Sequence, residues 1–353
     1  MTSSPPAASW AASETPRPSS SEASRISPNI TDAPKKTTSV QSTVFRSTAG
    51  HDSRPSSLDP MNERPVLAGA LGAFVIAFSG ILVRLADVAP ATAAFFRCAY
   101  ALPVLGLLAW IERRRYGARP WRERLPVFGA GVLFAADLVC WHYSIEAVGA
   151  GLATVLGNVQ VVLVGLLAWI FLGERPENRT LAAIPVVFLG VVLISGVIGS
   201  GAYGEDPVLG VVYGVLTAIS YALFILILRQ GNTDLRRPAG PLFDATLVAA
   251  VFSALAGLAI GDIDFAPGLE SQAWLVLLAL SSQVLGWLLI SVSLPRLPAV
   301  TTSILLMLQP VSTVFLGALL LSESPSAVQL TGVAIVLAGV AFATIKPRAR
   351  APA

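Results

Sequence analysis

Two stretches decide the fold: residues 152–176, LATVLGNVQVVLVGLLAWIFLGERP, and residues 301–325, TTSILLMLQPVSTVFLGALLLSESP. Gln160 in the first aligns with Gln309 in the second, an offset of 149 residues (309 − 160 = 149). The same offset relates further pairs: Glu174 with Glu323, Pro176 with Pro325, and Gly190 with Gly339. Each copy contains an apolar run of about 20 residues, enough to cross a hydrocarbon layer of about 30 Å. A repeat of this length predicts two homologous membrane halves.

The composition is that of a membrane protein. Hydrophobic residues make up 54% of the 353-residue chain and charged residues only 13%, which excludes an ordinary soluble domain. The net charge of +3 comes from arginines at predicted helix ends, so it indicates no nucleic-acid partner. Cys98 and Cys140 fall inside predicted spans, where we interpret them as apolar packing residues and not as a disulfide or a metal site.

Residues 1–64 differ from the rest of the chain. They are rich in Ser, Thr, Pro and Ala and hold no apolar run, so they cannot bury enough surface to offset the entropy of ordering. We predict a disordered N-terminal tail. Met61 stands just before the first span, and a translation start there would leave the membrane domain complete.

From residue 66 onward the sequence predicts ten apolar spans. They are 66–85, 90–111, 125–145, 150–172, 180–198, 207–228, 241–260, 273–294, 299–320 and 327–345. Arginine and lysine gather after the even-numbered spans, as at Arg113 and Arg236, and at the C-terminus. The positive-inside rule places all these connections in the cytoplasm. The prediction is a multi-pass protein of the cytoplasmic membrane with both termini cytoplasmic.

The ten spans divide into two sets of five. These are a first repeat at 66–198 and a second at 207–345, followed by a short cytoplasmic tail at 346–353. Because five is odd, the second repeat must be inserted upside down relative to the first. The predicted fold class is therefore an all-α membrane protein of ten transmembrane helices in two inverted five-helix repeats, an architecture of secondary transporters that bind their cargo near the midplane.

Three motifs resemble those of a known family. The two repeated helices end in LGERP, containing Glu174, and LSESP, containing Glu323, and span two begins with Phe96-Arg97. With the five-plus-five arrangement, these motifs resemble the EamA-type transporters of the drug/metabolite transporter superfamily over roughly 67–345. The resemblance implies export or exchange of small metabolites, and it leaves the metabolite open.

One feature departs from the family pattern. The family usually has Glu-Pro or Gln-Pro in the middle of the repeated helix. The second half keeps Gln309-Pro310, whereas the first has Gln160-Val161. Since proline removes a helical hydrogen bond, the sequence predicts a kink only in the second of these two helices.

Three amides are placed at one depth. Gln160, Gln309 and Gln283 each lie ten residues into their spans, about 15 Å deep at 1.5 Å per residue. Amides offer donors and acceptors without a buried charge, which suits a polar or zwitterionic solute. Such side chains also serve as interhelical hydrogen-bonding groups, so substrate contact and helix packing both stand as interpretations.

Arg97, Asn158 and Asp137 fall at a similar depth, about 10 to 12 Å below the outer surface. A charge there is costly unless it is paired or hydrated. Our hypothesis is that Arg97 attracts an anionic group of the substrate and that Asp137 is a coupling or gating partner. The alternative is a purely structural ion pair.

The other candidates are a histidine, two aromatic residues and the two repeated glutamates. His142 precedes Glu146 by one helical turn and can hydrogen-bond to it or relay protons, or it can be a packing residue. Trp287 and Tyr221 lie deeper than an interfacial belt requires and are candidates for lining an amphipathic cavity. Glu174 and Glu323 end matching helices, a position that favours a structural or gating role.

The leading function is a secondary transporter working by alternating access. The alternative is an intramembrane lipid-modifying enzyme, but the chain has no Gly-x-Ser-x-Gly, His-Glu-x-x-His or metal-spaced His/Asp cluster. A channel would usually show rings of identical pore residues. We expect no cofactor and no metal; the partners are a small-molecule substrate, the lipid bilayer and possible coupling protons. Substrate identity, direction and oligomeric state stay open.

Overall fold

The computed structural model describes residues 65–173, 175–231, 234, 236–293, 296–297 and 299–344. Within these ranges every regular element is a helix. The predicted tails at 1–64 and 346–353, and Glu174, lie outside the described residues.

The helices follow one another with short connections. In chain order they are α1 (Pro65–Ala77), α2 (Ser79–Ala86), α3 (Pro90–Ala99), α4 (Leu102–Tyr116), α5 (Trp121–Val148), α6 (Ala150–Gly157), α7 (Gln160–Leu172), α8 (Asn178–Ile194), α9 (Pro207–Gly231), α10 (Ala239–Ile260), α11 (Leu269–Leu278), a π-helix (Ala279–Gly286), α12 (Trp287–Ser293), α13 (Ala299–Leu320) and α14 (Ala327–Thr344). Several successive helices continue one another, as α1 continues into α2 after Phe78.

Seven helical segments are long and apolar enough to cross a membrane. They are Pro65–Ala86, Pro90–Tyr116, Trp121–Val148, Ala150–Phe171, Pro207–Leu228, Ala239–Ile260 and Leu269–Ser293. Three shorter apolar helices accompany them, Asn178–Ile194, Leu305–Leu320 and Ala327–Ala343. Large apolar side chains point out of the bundle, among them Phe171, Phe188 and Phe315, each about two-thirds exposed. Such a surface fits lipid as the surrounding solvent.

The prediction that the first of the two repeated helices is the regular one is wrong. Helix α13 runs through Pro310 without a break, whereas the proline-free counterpart is interrupted between α6 and α7 at Asn158 and Val159. There the N–H groups of Val159 and Val161 bond to carbonyls three residues back, and the Asn158 side chain donates to the Thr154 carbonyl oxygen at 2.9 Å. A side chain that bonds to the local backbone competes with the helical pattern, which accounts for the break.

The two halves of the sequence are interleaved. Helix α5 of the first half packs along α9 and α10 of the second. The approach is close because glycines lie at the contacts: a Cβ on Gly210 would lie 2.2 Å from a Val148 methyl carbon, and one on Gly131 2.7 Å from the Ala245 carbonyl oxygen. Small residues of this kind let membrane helices pack backbone to backbone.

Helices α8 and α14 form a further glycine-mediated pair. A Cβ on Gly190 would lie 2.7 Å from Val336 Cγ2, and one on Gly339 would lie 2.7 Å from Val187 Cγ2. The repeat offset that relates Gly190 to Gly339 also relates Val187 to Val336. The two contacts are therefore reciprocal.

We expect Gly190→Leu to lower stability by about 2 kcal/mol, because the added side chain cannot fit against Val336 and the Gly332 carbonyl oxygen. Thermal unfolding in detergent should show a melting temperature lower by about 5 °C. Gly129→Leu is the matched control, since a Cβ there would meet nothing within 4 Å. Equal melting temperatures for the two variants would contradict this packing.

Candidate functional site

Arg97 lies at one end of a hydrogen-bonded chain that joins the two halves. It is 3% exposed, and its Nε donates to Gln283 Oε1 at 3.1 Å. Gln283 Nε2 in turn donates to Thr246 Oγ1 at 3.0 Å. The guanidinium carbon lies 5.6 Å from the ring centroid of Trp141, within cation–π range. The amide of Gln283 therefore positions Arg97 without neutralising its charge.

The π-helix Ala279–Gly286 presents Gln283 to Arg97. It lies between α11 and α12, and Gln283 and its neighbour Ser282 are fully buried. A π-segment inserts extra residues into a helix and shifts the direction of the side chains that follow, and such segments are frequent at functional sites. No sequence pattern identified this segment, because its hydrophobic pattern also fits an ordinary α-helix.

Asp137 is also buried, at 7% exposure. Its carboxylate makes no hydrogen bond and no ion pair within 4 Å to any residue that the structure describes, although it lies close enough to Arg97 for their charges to interact. The structural ion pair weighed as an alternative from the sequence is thus not formed as a contact. Both charged groups keep the capacity to bind another partner.

Four aromatic rings lie beside these charges. Phe134 and Phe224 stack with centroids 4.6 Å apart. Trp287 packs edge-on against both, and against Tyr221 at 6.1 Å. Tyr221 lies within electrostatic range of Asp137 and Arg97. The structure therefore brings Trp287 and Tyr221 together with the charged pair, and it adds Phe134 and Phe224, which the sequence analysis missed.

The three amides placed at one depth do not bond to one another among the described residues. Gln283 is held by Arg97, whereas the side chains of Gln160 and Gln309 form no hydrogen bond with any described residue. Gln160 begins α7, which packs on α9, whereas Gln309 lies in α13, which packs on α1 and α6. Asn158 caps its own helix through Thr154. Equal depth along the chain did not translate into contact, because depth says nothing about which face a helix presents.

His142 is 1% exposed. Neither ring nitrogen makes a well-formed hydrogen bond in the part of the chain described here, although the Pro90 carbonyl oxygen lies close to the ring. The hydrogen bond to Glu146 that the spacing allows is not formed, because spacing along one helix does not determine the side-chain directions.

Glu323 caps a helix of the other half. Its carboxylate accepts hydrogen bonds from the backbone N–H groups of Ala150, at 2.6 Å, and Gly151, at 3.0 Å. These are the first residues of α6, where the helix dipole favours a negative charge. Burial raises the pKa of the Glu323 carboxyl, and the two backbone donors oppose that shift. Space for the carboxylate depends on Gly317, where a Cβ would lie 2.4 Å from its Oε2.

The opposite end of the bundle is held by a similar contact. Glu112 accepts hydrogen bonds from the N–H groups of Ala239 and Gly240, at 2.9 and 2.8 Å, at the start of α10. Nearby, Asp244 bonds to Arg119 at 2.9 Å and to Arg124 at 2.8 Å. Asp244 is therefore both buried, at 3% exposure, and ion-paired. We call this the arginine-rich end, and the opposite one the Glu323 end.

A second cap at the Glu323 end involves Asp262, which follows α10. Its carboxylate accepts a hydrogen bond from the Ala91 N–H at 3.4 Å, at the start of α3, and another from the Tyr143 hydroxyl. Glu112, near the end of α4, thus caps the start of α10, and Asp262, just after α10, caps the start of α3. The sequence analysis missed Glu112 and Asp262 as contacts, although the repeat offset that pairs Ala91 with Gly240 would have related the two caps.

Comparison with known proteins identifies the fold and the family. The model of the EamA-like transporter family matches residues 64–196 and 208–345. An uncharacterized transporter of Bacillus subtilis, YxxF, is 26% identical over 73% of this chain and 82% of its own length. The uncharacterized protein PA1977 of Pseudomonas aeruginosa is 28% identical over 81% of this chain and 96% of its own.

A protein crystal structure shares the fold, with a TM-score of 0.54 at 16% identity, covering 80% of this chain and 96% of that one. The family description and the name of the YxxF relative both denote transport and not catalysis. The family match covers both repeats and most of the chain, so the protein belongs to the EamA-like transporter family of the drug/metabolite transporter superfamily and is a multi-pass membrane transporter.

Proposed function

We propose that the protein is a secondary transporter of the cytoplasmic membrane that exports or exchanges small zwitterionic or amphipathic metabolites, amino acids among them, by alternating access between two inverted halves. The observation that carries the proposal is the buried Arg97, which is positioned by Gln283 of the other half and makes no ion pair within 4 Å to a described carboxylate. A buried guanidinium without a counter-ion is costly. An anionic group of the cargo would supply that counter-ion.

Two features support ten spans and an inverted repeat. The three shorter apolar helices bring the candidate spans to the predicted number, since α13 itself extends over 22 residues. Under the repeat offset the glycine contacts between α8 and α14 are reciprocal, and the caps on α3 and α10 are reciprocal to within one residue. Reciprocal contacts are what a two-fold relation between halves produces.

The distribution of charge supports the orientation. The arginine-rich end holds Arg119, Arg124 and Arg237, whereas the Glu323 end holds Asp262, Asp264 and Glu205. Under the positive-inside rule the arginine-rich end faces the cytoplasm, and ten spans then place both termini there.

Both ends tie one half to the other through a carboxylate on a helix N-terminus. Glu112 connects the halves at the arginine-rich end, and Glu323 and Asp262 connect them at the other. Alternating access requires that each end open in turn while the other stays closed. We propose that these capping contacts are the gates that break and re-form.

The site geometry favours a zwitterion with an apolar part. Arg97 is positioned for a carboxylate of the cargo, and the unbonded carboxylate of Asp137 for an ammonium group. Tyr221 and Trp287 offer aromatic faces beside these charges. Gln160 and Gln309 retain free amide groups to contact the cargo as it passes. Nucleotide sugars fit less well, because two phosphates would need more positive charge than Arg97 supplies.

Counterflow in proteoliposomes tests this function. We expect saturable exchange of at least one compound from a pool of radiolabelled amino acids and small amphipathic metabolites. The double variant Gln160→Ala/Gln309→Ala should lower that exchange about tenfold, if each amide contributes about 0.7 kcal/mol to cargo binding. Gln272→Ala is the matched control, because that amide already bonds to Tyr100 and Pro267 near the start of α11. Absence of any transport by folded wild-type protein, with or without a proton gradient, would contradict this function. The alternative of a lipid-modifying enzyme would then be tested by comparing the lipids of cells with and without the protein.

A further inference from the structure

His142 is an imidazole with two unsatisfied nitrogens. It is 1% exposed, and neither Nδ1 nor Nε2 makes a well-formed hydrogen bond to a described residue, although the Pro90 carbonyl oxygen lies close enough to the ring to interact with it. A buried polar atom left without a partner costs about 1 to 3 kcal/mol, and nearly all such atoms in native proteins are satisfied by protein or by water. This histidine therefore requires an explanation that packing does not give.

A cavity of about 70 Å³ lies directly beside the ring, at the Glu323 end. His142 and Pro90 form its deep wall, and Arg84, Asp87 and Glu146 form its rim, where their side chains are exposed. Since a water molecule takes up about 30 Å³ in the liquid, the cavity has room for about two. In this state the imidazole nitrogens themselves are shielded from solvent, so a proton reaches them from the cavity only when the ring or its rim moves.

The charged groups around His142 come from several helices. Arg97 of α3 is close enough for its charge to act on the ring, and its guanidinium lies over Trp141, the neighbour of His142. Arg84 and Asp87 come from the end of α2, and Glu146 from α5 itself. On α9, which also packs against α5, Tyr213 stacks on Tyr143. The carboxylate of Asp262, which follows α10, accepts a hydrogen bond from the Tyr143 hydroxyl. His142 thus stands between the cavity and the Arg97 site.

We propose that His142 is a proton-binding site of the transporter, reached from the Glu323 end through this cavity, and that its proton binds together with an anionic group held by Arg97. The inference rests on the proposed function. In the step itself, a hydronium ion in the cavity gives its proton to the unprotonated ring nitrogen: an O–H bond breaks, an N–H bond forms, and water is left behind.

The coupling follows from charge. An imidazolium beside the Arg97 guanidinium places two positive charges in a medium of low dielectric, where repulsion is strong. A carboxylate bound to Arg97 cancels much of that repulsion, so the proton and the anion each favour the binding of the other by the same factor. The proton then moves in the same direction as the cargo, so an inward proton gradient drives uptake, whereas export proceeds by exchange or down the cargo's own gradient.

Transport measurements with His142→Gln test the proposal. We expect uptake driven by an inward proton gradient, and the accompanying acidification reported by a trapped pH dye, to fall at least tenfold. Counterflow at equal pH on both sides should fall less than threefold, because no net proton movement is required. His51→Gln is the matched control, because it makes the same substitution at the other histidine of the chain. Acidification equal to that of the wild type in His142→Gln would overturn the proposal, whereas absence of counterflow by the wild type would instead count against the proposed function.

A second measurement does not depend on transport. In His51→Gln protein the remaining histidine is His142, so imidazole NMR in nanodiscs reports its protonation alone. Benzoate serves as the carboxylate probe for Arg97. We expect benzoate to raise the protonated fraction of His142 at a fixed pH at least threefold, and Arg97→Gln to remove that response. A protonated fraction unchanged by benzoate would overturn the coupling even if transport failed.

Discussion

Arg97→Ala is expected to lower substrate exchange in proteoliposomes about 100-fold, the equivalent of losing about 3 kcal/mol of a charge-assisted contact with the cargo. The guanidinium is buried, positioned by Gln283 and stacked over Trp141. Alanine removes the cargo's proposed counter-ion and also leaves the Gln283 amide oxygen without its donor. Initial rates of counterflow with the compound identified in the screen measure the effect.

Two further variants separate charge from geometry. Arg97→Lys retains the charge but loses the planar fork, so exchange should fall about tenfold. Gln283→Ala leaves the charge in place but removes its positioning group, and its effect should fall between the two. If Arg97→Ala and Asp137→Ala both transported at the wild-type rate while expressing normally, the binding role of this pair would have to be abandoned.

Glu323→Ala and Glu112→Ala are expected to shift the conformational equilibrium in opposite directions, each by about 30-fold. Glu323→Ala leaves the Ala150 and Gly151 N–H groups at the start of α6 without an acceptor, at a cost of about 2 kcal/mol to the closed Glu323 end. Glu112→Ala does the same to the start of α10 at the arginine-rich end. Each variant should therefore open its own end.

Cysteine labelling measures the shift. Ala153 of α6 and Ala245 of α10 are buried near the two caps, and Ala153→Cys and Ala245→Cys report access from the two sides to a membrane-impermeant maleimide. Glu323→Ala should speed labelling at position 153 and slow it at 245, and Glu112→Ala should do the reverse. The protein without an added cysteine measures the background labelling of Cys98 and Cys140. Labelling that rises at both positions in either variant would indicate loosening of the fold and not gating.

Gly317→Ala provides a variant that keeps the carboxylate. Its methyl group would lie 2.4 Å from Glu323 Oε2, so it should displace the carboxylate and open the same end as Glu323→Ala.

The pH dependence of labelling at position 153 has a definite sign. Because burial raises the pKa of Glu323 at the closed end, the closed form binds a proton more tightly than a form with a solvated carboxyl of pKa about 4.3. Acid should therefore slow labelling at position 153, and Glu323→Ala should remove that dependence.

The sequence predicted which residues form the polar site better than it predicted which residues contact one another. Burial and charge at given depths marked Arg97, Asp137, Gln283, Tyr221 and Trp287, and the structure brings these five to one region. Depth alone also grouped Gln160 and Gln309 with Gln283, although among the described residues neither forms a hydrogen bond with it. Residues of equal depth meet only if their helices turn the same faces toward each other, and a strongly apolar membrane helix carries little pattern that fixes its rotation.

The sequence by itself determined the class of this protein. Length, apolar content and the repeated helix are enough for membrane spans, two related halves and the transporter family, because a hydrocarbon layer constrains a chain through composition and length. Only the tertiary structure decided which partner each polar group has: the π-helix that turns Gln283 toward Arg97, the break at Asn158 in the helix without a proline, the caps formed by Glu112, Asp262 and Glu323, and the unpartnered ring of His142. These contacts join residues more than 100 positions apart or depend on helix rotation. Inside a membrane the hydrophobic effect does not distinguish one helix rotation from another, so close packing and polar pairing make that choice.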